Sequence, residues 1–318
     1  MNWLITGGTG TFGKAFSRYL LENCRPNKVV CFSRDELKQS EMQNLPEYQQ
    51  PAMRWFLGDV RDKDRLLRAF RDIDVVVHAA ALKQVPACEY NVLEAVQTNI
   101  VGSRNVVEAS IDCGVGRALL ISSDKACQAL NAYGKTKAVA ESIFTQGNAY
   151  SSLDGTKLSC VRYGNVAGSR GSVIHVFREQ AASGKLTITD SRMTRFWITP
   201  AQAVRFVISA LEQMVGGEIF VPRLPSVKIT DLAEAVAPDC QHEIIGLRAG
   251  EKLHEVLITP EEVLRTIDRG KTYIIKPYYQ SFERSGLCGR RPSFEQYSSD
   301  SNTEWLDVQA IREELGEK

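Results

Sequence analysis

Gly7, Gly10 and Gly13 stand directly behind a short apolar run and at the head of a helix-length segment, and no other feature narrows the fold as much. That spacing lets main-chain N–H groups and a helix N-terminus meet a pyrophosphate, so a strand, a glycine turn and a helix are expected in that order. The rhythm then repeats. Apolar, β-branched runs at 3–6, 28–32, 54–57, 74–78, 118–122 and 158–162 alternate with helical patterns, as in a parallel sheet covered on both faces. The expected class is α/β, with a Rossmann-type doubly wound parallel sheet over residues 1–166 and right-handed crossovers. A polar glycine-rich loop at 168–172 breaks the rhythm, and the later elements are shorter. Residues 167–318 are therefore expected to form mostly a smaller C-terminal α/β substrate domain and a tail. A helix at 201–214 is expected to lead back to the first domain, within a returning segment near 197–222. The stretch 280–301 carries no periodicity.

The glycine turn, with Thr9, Thr11 and Phe12 between its glycines, is the expected cofactor cradle. The end of the second strand selects the dinucleotide. An acid there would hold ribose hydroxyls, whereas Ser33 and Arg34 offer a hydroxyl and a guanidinium suited to a 2′-phosphate, which favours NADP. Asp35 follows at once and is the rival acid. Asp59 and Val60 are placed to face the adenine, and the small Ala79 and Ala80 let the cofactor approach the sheet closely.

Tyr133 and Lys137 lie four apart, hence on one helical face, where an ammonium is expected to lower the phenol's pKa. Tyrosinate would then act as the base of a hydride transfer, with Ser123 hydrogen-bonding the sugar hydroxyl that Tyr133 deprotonates. Asp124 and Lys125, immediately after Ser123, are surplus to a plain oxidation. An elimination needs both: once carbon 4 is a ketone, a base can remove the carbon 5 proton while an acid protonates the departing carbon 6 hydroxyl. Lys125 fits the base and Asp124 the acid, and Lys125 is expected to be neutral because burial lowers its pKa. The bland alternative is an ion pair at a helix start.

The 39 Lys and Arg balance 38 Asp and Glu, so the net charge of +1 gives no electrostatic reason to expect a nucleic-acid partner or an anionic membrane surface. No apolar stretch approaches the roughly 20 residues of a membrane span. With a strand expected almost from Met1, the cytoplasm is the expected location. The eight cysteines are scattered, without CxxC pairs or zinc spacing, and read as free thiols or small buried hydrophobes with no metal.

These residues carry a family resemblance. TGGTGTFGK at 6–14, SRDELKQ at 33–39, GDVRD at 58–62, HAAALKQVPACEYN at 78–91 and SDKA at 123–126 resemble the inverting UDP-N-acetylglucosamine 4,6-dehydratases, of the extended short-chain dehydrogenase/reductase superfamily. VRYGNVAGSRGSV at 161–173, MTRFWIT at 193–199, GGEIFVP at 216–222, AGEKLHE at 249–255 and NTEWL at 302–306 extend the likeness through the second half. The resemblance implies NADP held through the cycle, UDP-N-acetylglucosamine as substrate, a 4-keto-6-deoxy product inverted at carbon 5, and a homo-oligomer. It also implies that Lys83 meets the substrate, that Asn165 and Arg170 hold the nucleotide diphosphate, and that Arg195, Arg248 and Glu251 complete that pocket. Several positions depart from the family's habit: Ser123 replaces threonine, Gln128 and Ala129 an Asn-Pro pair, Lys135 a small residue, and His175, Ser191 and Ala249 prolines. Gln128 and His175 are expected to border the substrate. Two rivals stay open: an NADP-dependent nucleotide-sugar 4-epimerase or 4-reductase, which would leave Asp124 and Lys125 without work, and a non-enzymatic NADP-sensing protein.

Overall fold

A computed structural model of the chain describes residues 1–152, 154–169, 172–278 and 287–316. The six expected runs are strands β1 (Asn2–Thr6), β2 (Lys28–Ser33), β3 (Met53–Leu57), β4 (Val75–His78), β5 (Arg117–Ile121) and β6 (Lys157–Val161). They pair in parallel in the spatial order β3-β2-β1-β4-β5-β6. Helices cover both faces of the sheet, so its central strands must be apolar on both sides, and Leu4, Ile5, Val76, Val77, Leu119 and Leu120 are fully buried.

The strand order reverses direction between β1 and β4, which opens a crevice at the carboxyl ends of those strands. The glycine turn follows β1 and Ala79 and Ala80 follow β4, so both arrive at this crevice. Beyond β6 the sheet grows by Ile219–Pro222, parallel to β6, and then by the antiparallel hairpin of Thr272–Ile275 and Thr266–Asp268. The helix Pro200–Gln213 precedes that added strand and packs on the helix Thr11–Asn23. The second half thus revisits the main sheet twice. The hairpin visit, at residues 266–275, is the one without a periodic sequence signal, because each of its strands is only three or four residues long.

A separate apolar cluster, with Ile174, Phe177, Leu186, Trp197 and Leu232 at its centre, lies under the small sheets formed by Asn165–Val166, Thr194–Ile198 and Ser226–Lys228, and by Lys185–Ile188 with Gln241–Ile244. A buried ionic network ties β6 to the second half. Arg162, just after β6, donates to Glu141 at 2.9 and 2.6 Å, to Glu262 at 2.8 and 2.9 Å, and to the Leu257 carbonyl at 2.9 Å. Arg162→Met would strand two carboxylates away from water. It is expected to cost about 3–5 kcal/mol and to lower the thermal midpoint by about 10 °C, read by circular dichroism. An unchanged midpoint would show that the network contributes nothing.

Candidate functional site

The crevice holds a cavity of about 540 Å³, and Gly7, Thr9, Gly10, Thr11, Phe12 and Gly13 line its floor. The turn is closed to larger side chains. Gly7 has φ +69°, a conformation other residues avoid, and a Cβ there would sit 2.9 Å from the Ala80 nitrogen. A Cβ on Gly13 would meet the Gly8 carbonyl oxygen at 2.5 Å. Gly10 begins the helix Thr11–Asn23 with no side-chain cap, so first-turn N–H groups are left for a ligand, and a dinucleotide pyrophosphate fits this cradle.

Ser33, Arg34, Val60, Ala79 and Ala80 line the same cavity. Asp59 is turned to other work: it pairs with Arg61 at 2.7 Å and with Arg34 at 3.4 Å, and it is absent from the lining. Asp35, the rival acid, caps the helix Glu36–Gln43 by accepting from the Lys38 backbone N–H at 3.0 Å, while its other oxygen pairs with the Lys38 ammonium. Both of its oxygens are thus engaged. Lys38 itself lines the cavity and is a second cation beside Arg34 that the strand-end motif did not single out.

A second cavity of about 410 Å³ adjoins the first, and Lys83, Ser123, Tyr133 and Asn165 line both. Asn131 sets this junction. Its side-chain oxygen accepts from the Gly134 N–H at 2.8 Å, capping the helix Ala132–Gly147 that carries Tyr133 and Lys137, and its amide donates to the Gly250 carbonyl at 2.9 Å. Asn99, on a widened helical turn at Val96–Val101, clamps the Leu82 backbone at 2.8 and 2.9 Å and so positions the loop before Lys83.

Tyr133 and Lys137 are both buried, and the Lys137 ammonium donates to the Ile121 carbonyl at 2.7 Å. Burial lowers the Lys137 pKa to about 8. Burial also pushes the Tyr133 phenol up to about 12, against the pull of the Lys125 charge and of the neighbouring Ser123 hydroxyl. The expectation of a lowered phenol pKa is corrected accordingly: desolvation outweighs the cations. Ser123 donates to Asp124 Oδ1 at 2.7 Å, and Lys125 Nζ reaches Asp124 Oδ1 at 3.2 Å, Asn165 Oδ1 at 3.2 Å and Glu255 Oε1 at 3.4 Å. Burial alone would lower the Lys125 pKa, but the Asp124 and Glu255 carboxylates outweigh it and hold the ammonium well above its usual range. The expected neutral lysine is therefore corrected to a cation.

Arg195, Arg248 and Glu251 all line the second cavity. Arg195 donates to the Thr194, Leu253 and Lys252 carbonyls at 2.7, 2.9 and 3.1 Å, and Glu251 accepts from the Arg248 N–H at 3.4 Å. Arg170 lies outside the described residues. Gln128 and His175 line neither cavity. Gln128 is exposed with φ +45°, and His175 hydrogen-bonds the Gly168 carbonyl at 3.1 Å, so their neighbours Leu130, Asn131, Ser172 and Ile174 are the ones that border the space. Glu255 was missed. The signal was a second acid in AGEKLHE, poised before the apolar run Val256–Ile258.

Residues 3–277 match the family described as polysaccharide biosynthesis protein. Two relatives from Campylobacter jejuni, both called UDP-N-acetylglucosamine 4,6-dehydratase (inverting), are 46% and 48% identical, each over 98% of this chain and 96% of the relative. A UDP-glucose 4-epimerase of Rickettsia massiliae is 37% identical over 98% of this chain and 94% of its own. Among solved structures, Pen from Bacillus thuringiensis superposes with a TM-score of 0.90 at 36% identity, covering 99% of this chain and 96% of that one. The chain belongs to the polysaccharide biosynthesis protein family and, within it, to the inverting UDP-N-acetylglucosamine 4,6-dehydratases.

Proposed function

We propose that this protein is an NADP-dependent nucleotide-sugar 4,6-dehydratase that converts UDP-N-acetylglucosamine to a UDP-4-keto-6-deoxy sugar with inversion at carbon 5. One observation carries the reading: an ammonium between two buried carboxylates, Lys125 with Asp124 and Glu255, stands beside Ser123 and Tyr133 where the two cavities meet. A 4-epimerase has no step for that cluster. The nicotinamide, when bound, supplies a hydride acceptor at carbon 4 and the hydride that completes carbon 6. Ser123 orients the carbon 4 hydroxyl, and Tyr133 takes its proton. Lys137, one turn on along the same helix face, donates to the Ile121 carbonyl at the wall of the cofactor cavity. Lys125 removes the carbon 5 proton, while Asp124 fixes Ser123 and Lys125 through one oxygen.

Residues 1–166 form the cofactor-binding domain in this reading, and 167–318 mostly the nucleotide-sugar domain. Arg248, with Lys83 and Asn165, suits the sugar nucleotide because a guanidinium fork pairs with phosphate oxygens, while Arg195, whose own fork donates to the Thr194, Leu253 and Lys252 carbonyls, and Glu251 complete the wall of that pocket. We place the protein in the cytoplasm as a homo-oligomer. Its eight free thiols suit a reducing compartment, and the exposed Tyr90 and Leu93 suit burial against another copy.

Incubation with UDP-N-acetylglucosamine is expected to yield a product with the near-ultraviolet absorbance of a 4-keto-6-deoxy sugar in alkali. Recovery of an epimerised sugar without that absorbance would overturn the reading in favour of the 4-epimerase. Purified protein is also expected to carry NADP, identified by chromatography of the denatured supernatant. Arg34→Asp is expected to lower the preference for NADP over NAD by about 10–100-fold, the worth of one charged hydrogen bond. An unchanged preference would refute the role of Arg34.

A further inference from the structure

Elimination across carbons 5 and 6 needs an amine without its proton and, within reach of the leaving oxygen, an acid that still has one. Lys125 and its two carboxylates hold these protons the other way round. The two carboxylates are almost shut off from water: Asp124 is 0% exposed and Glu255 3%. Asp124 Oδ2 and Glu255 Oε2 are both buried and have no hydrogen-bond partner among the described residues. Each carboxylate thus has one oxygen that is not yet engaged and has room to accept a proton.

The two carboxylates differ in what they face. Asp124 accepts from Ser123 and Lys125 through Oδ1 and does not line the sugar cavity. Glu255 lines that cavity together with Lys125, Ser123 and Tyr133. Its backbone is held, since its N–H donates to Ser299 Oγ at 2.9 Å, and Ser299 in turn bonds Thr194 Oγ1 at 2.7 Å. Arg195 Nε, 3.7 Å from Glu255 Oε1, keeps that oxygen turned to the cluster.

We propose that Glu255, and not Asp124 as the sequence suggested, is the general acid of the elimination, taking a proton from Lys125 and handing it to the departing carbon 6 oxygen. The inference rests on the dehydratase reading. Transfer across the 3.4 Å gap from Lys125 Nζ to Glu255 leaves an amine and a carboxylic acid. The carbon 5–hydrogen bond then breaks, its proton goes to the amine, and its electron pair forms the carbon 5–carbon 6 double bond. The carbon 6–oxygen bond breaks, and the oxygen takes the Glu255 proton and leaves as water. The pair ends as ammonium and carboxylate, so the cluster's net charge is the same before and after. Asp124 is a positioning residue for Ser123 and Lys125.

The test compares UDP-N-acetylglucosamine with its 6-deoxy-6-fluoro analogue, because fluoride departs without being protonated. Glu255→Gln keeps the side chain's shape but can neither take nor give the proton; it also removes one of the two carboxylates that hold the Lys125 proton, so the partly exposed amine sheds it to solvent and remains available as the base. Its kcat on the natural substrate is expected to fall by about 10²–10⁴-fold, the usual worth of a general acid, while its kcat on the fluoro analogue stays within about tenfold of wild type. Equal loss on both substrates would make Glu255 a structural or binding residue and overturn the proposal, as would normal turnover of the natural one. Asp124→Asn is expected to depress both substrates alike; rescue by fluorine in that variant would return the acid role to Asp124 and also overturn the proposal. A wild-type protein that eliminates from neither substrate would sink the dehydratase reading itself, a result distinct from any change in the ratio between the two.

Discussion

Lys125→Ala is expected to slow water loss by about 10²–10⁴-fold while leaving oxidation at carbon 4 intact. Lys125 is the amine at the wall of the sugar cavity that both buried carboxylates hold, so no neighbour can replace it without moving the cluster. With the later step blocked, substrate should leave the bound nicotinamide reduced, seen as a lasting rise in near-ultraviolet absorbance. Heavy water should then place no deuterium at carbon 5. Turnover at the wild-type rate would contradict the elimination role and leave Lys125 as half of an ion pair.

Tyr133→Phe is expected to fail one step earlier, with a loss of similar size, about 10²–10⁴-fold. The phenol lies buried at the junction of the cavities, with Ser123 beside it, and phenylalanine fills the same space without a group to take the carbon 4 proton. No absorbance change should follow substrate addition. Carbon 5 should keep its hydrogen in heavy water, because that hydrogen is acidic only next to a ketone. The two variants therefore separate by isotope and absorbance, even where both make no product. A Tyr133→Phe protein that still exchanged carbon 5 would place the oxidising base elsewhere.

The first half of this fold was legible because its signals are local. Glycines at 7, 10 and 13, six apolar runs and a Tyr133–Lys137 pair each act within one strand, turn or helix, and the sheet that results has the expected strands in the expected places. The hairpin at residues 266–275 was not legible, since its strands are too short to show alternation and are defined by their neighbours in the sheet. The charge state of Lys125 was hidden for a related reason. Asp124, next in sequence, and then Glu255, 130 residues away in sequence and 3.4 Å away in space, together hold the proton on it, and a reading of local neighbours sees burial and one carboxylate without the second. Asp35, the rival acid at the strand end, lines the cavity beside Arg34 and also caps the following helix at Lys38, a second task that its place in the sequence does not show. Gln128 and His175 flank the cavity in sequence, but backbone conformation turns one outward and a carbonyl holds the other.

Proton nuclear magnetic resonance of the product that the wild-type protein forms in heavy water reads both the loss of water and the configuration at carbon 5. The account predicts a UDP-linked 4-keto sugar with a methyl group at carbon 6, deuterium at carbon 5, and coupling constants of the L-arabino configuration. A D-xylo ketone would contradict inversion while leaving the dehydration standing. A sugar that keeps its carbon 6 hydroxyl and differs from the substrate at carbon 4 alone would contradict the account as a whole.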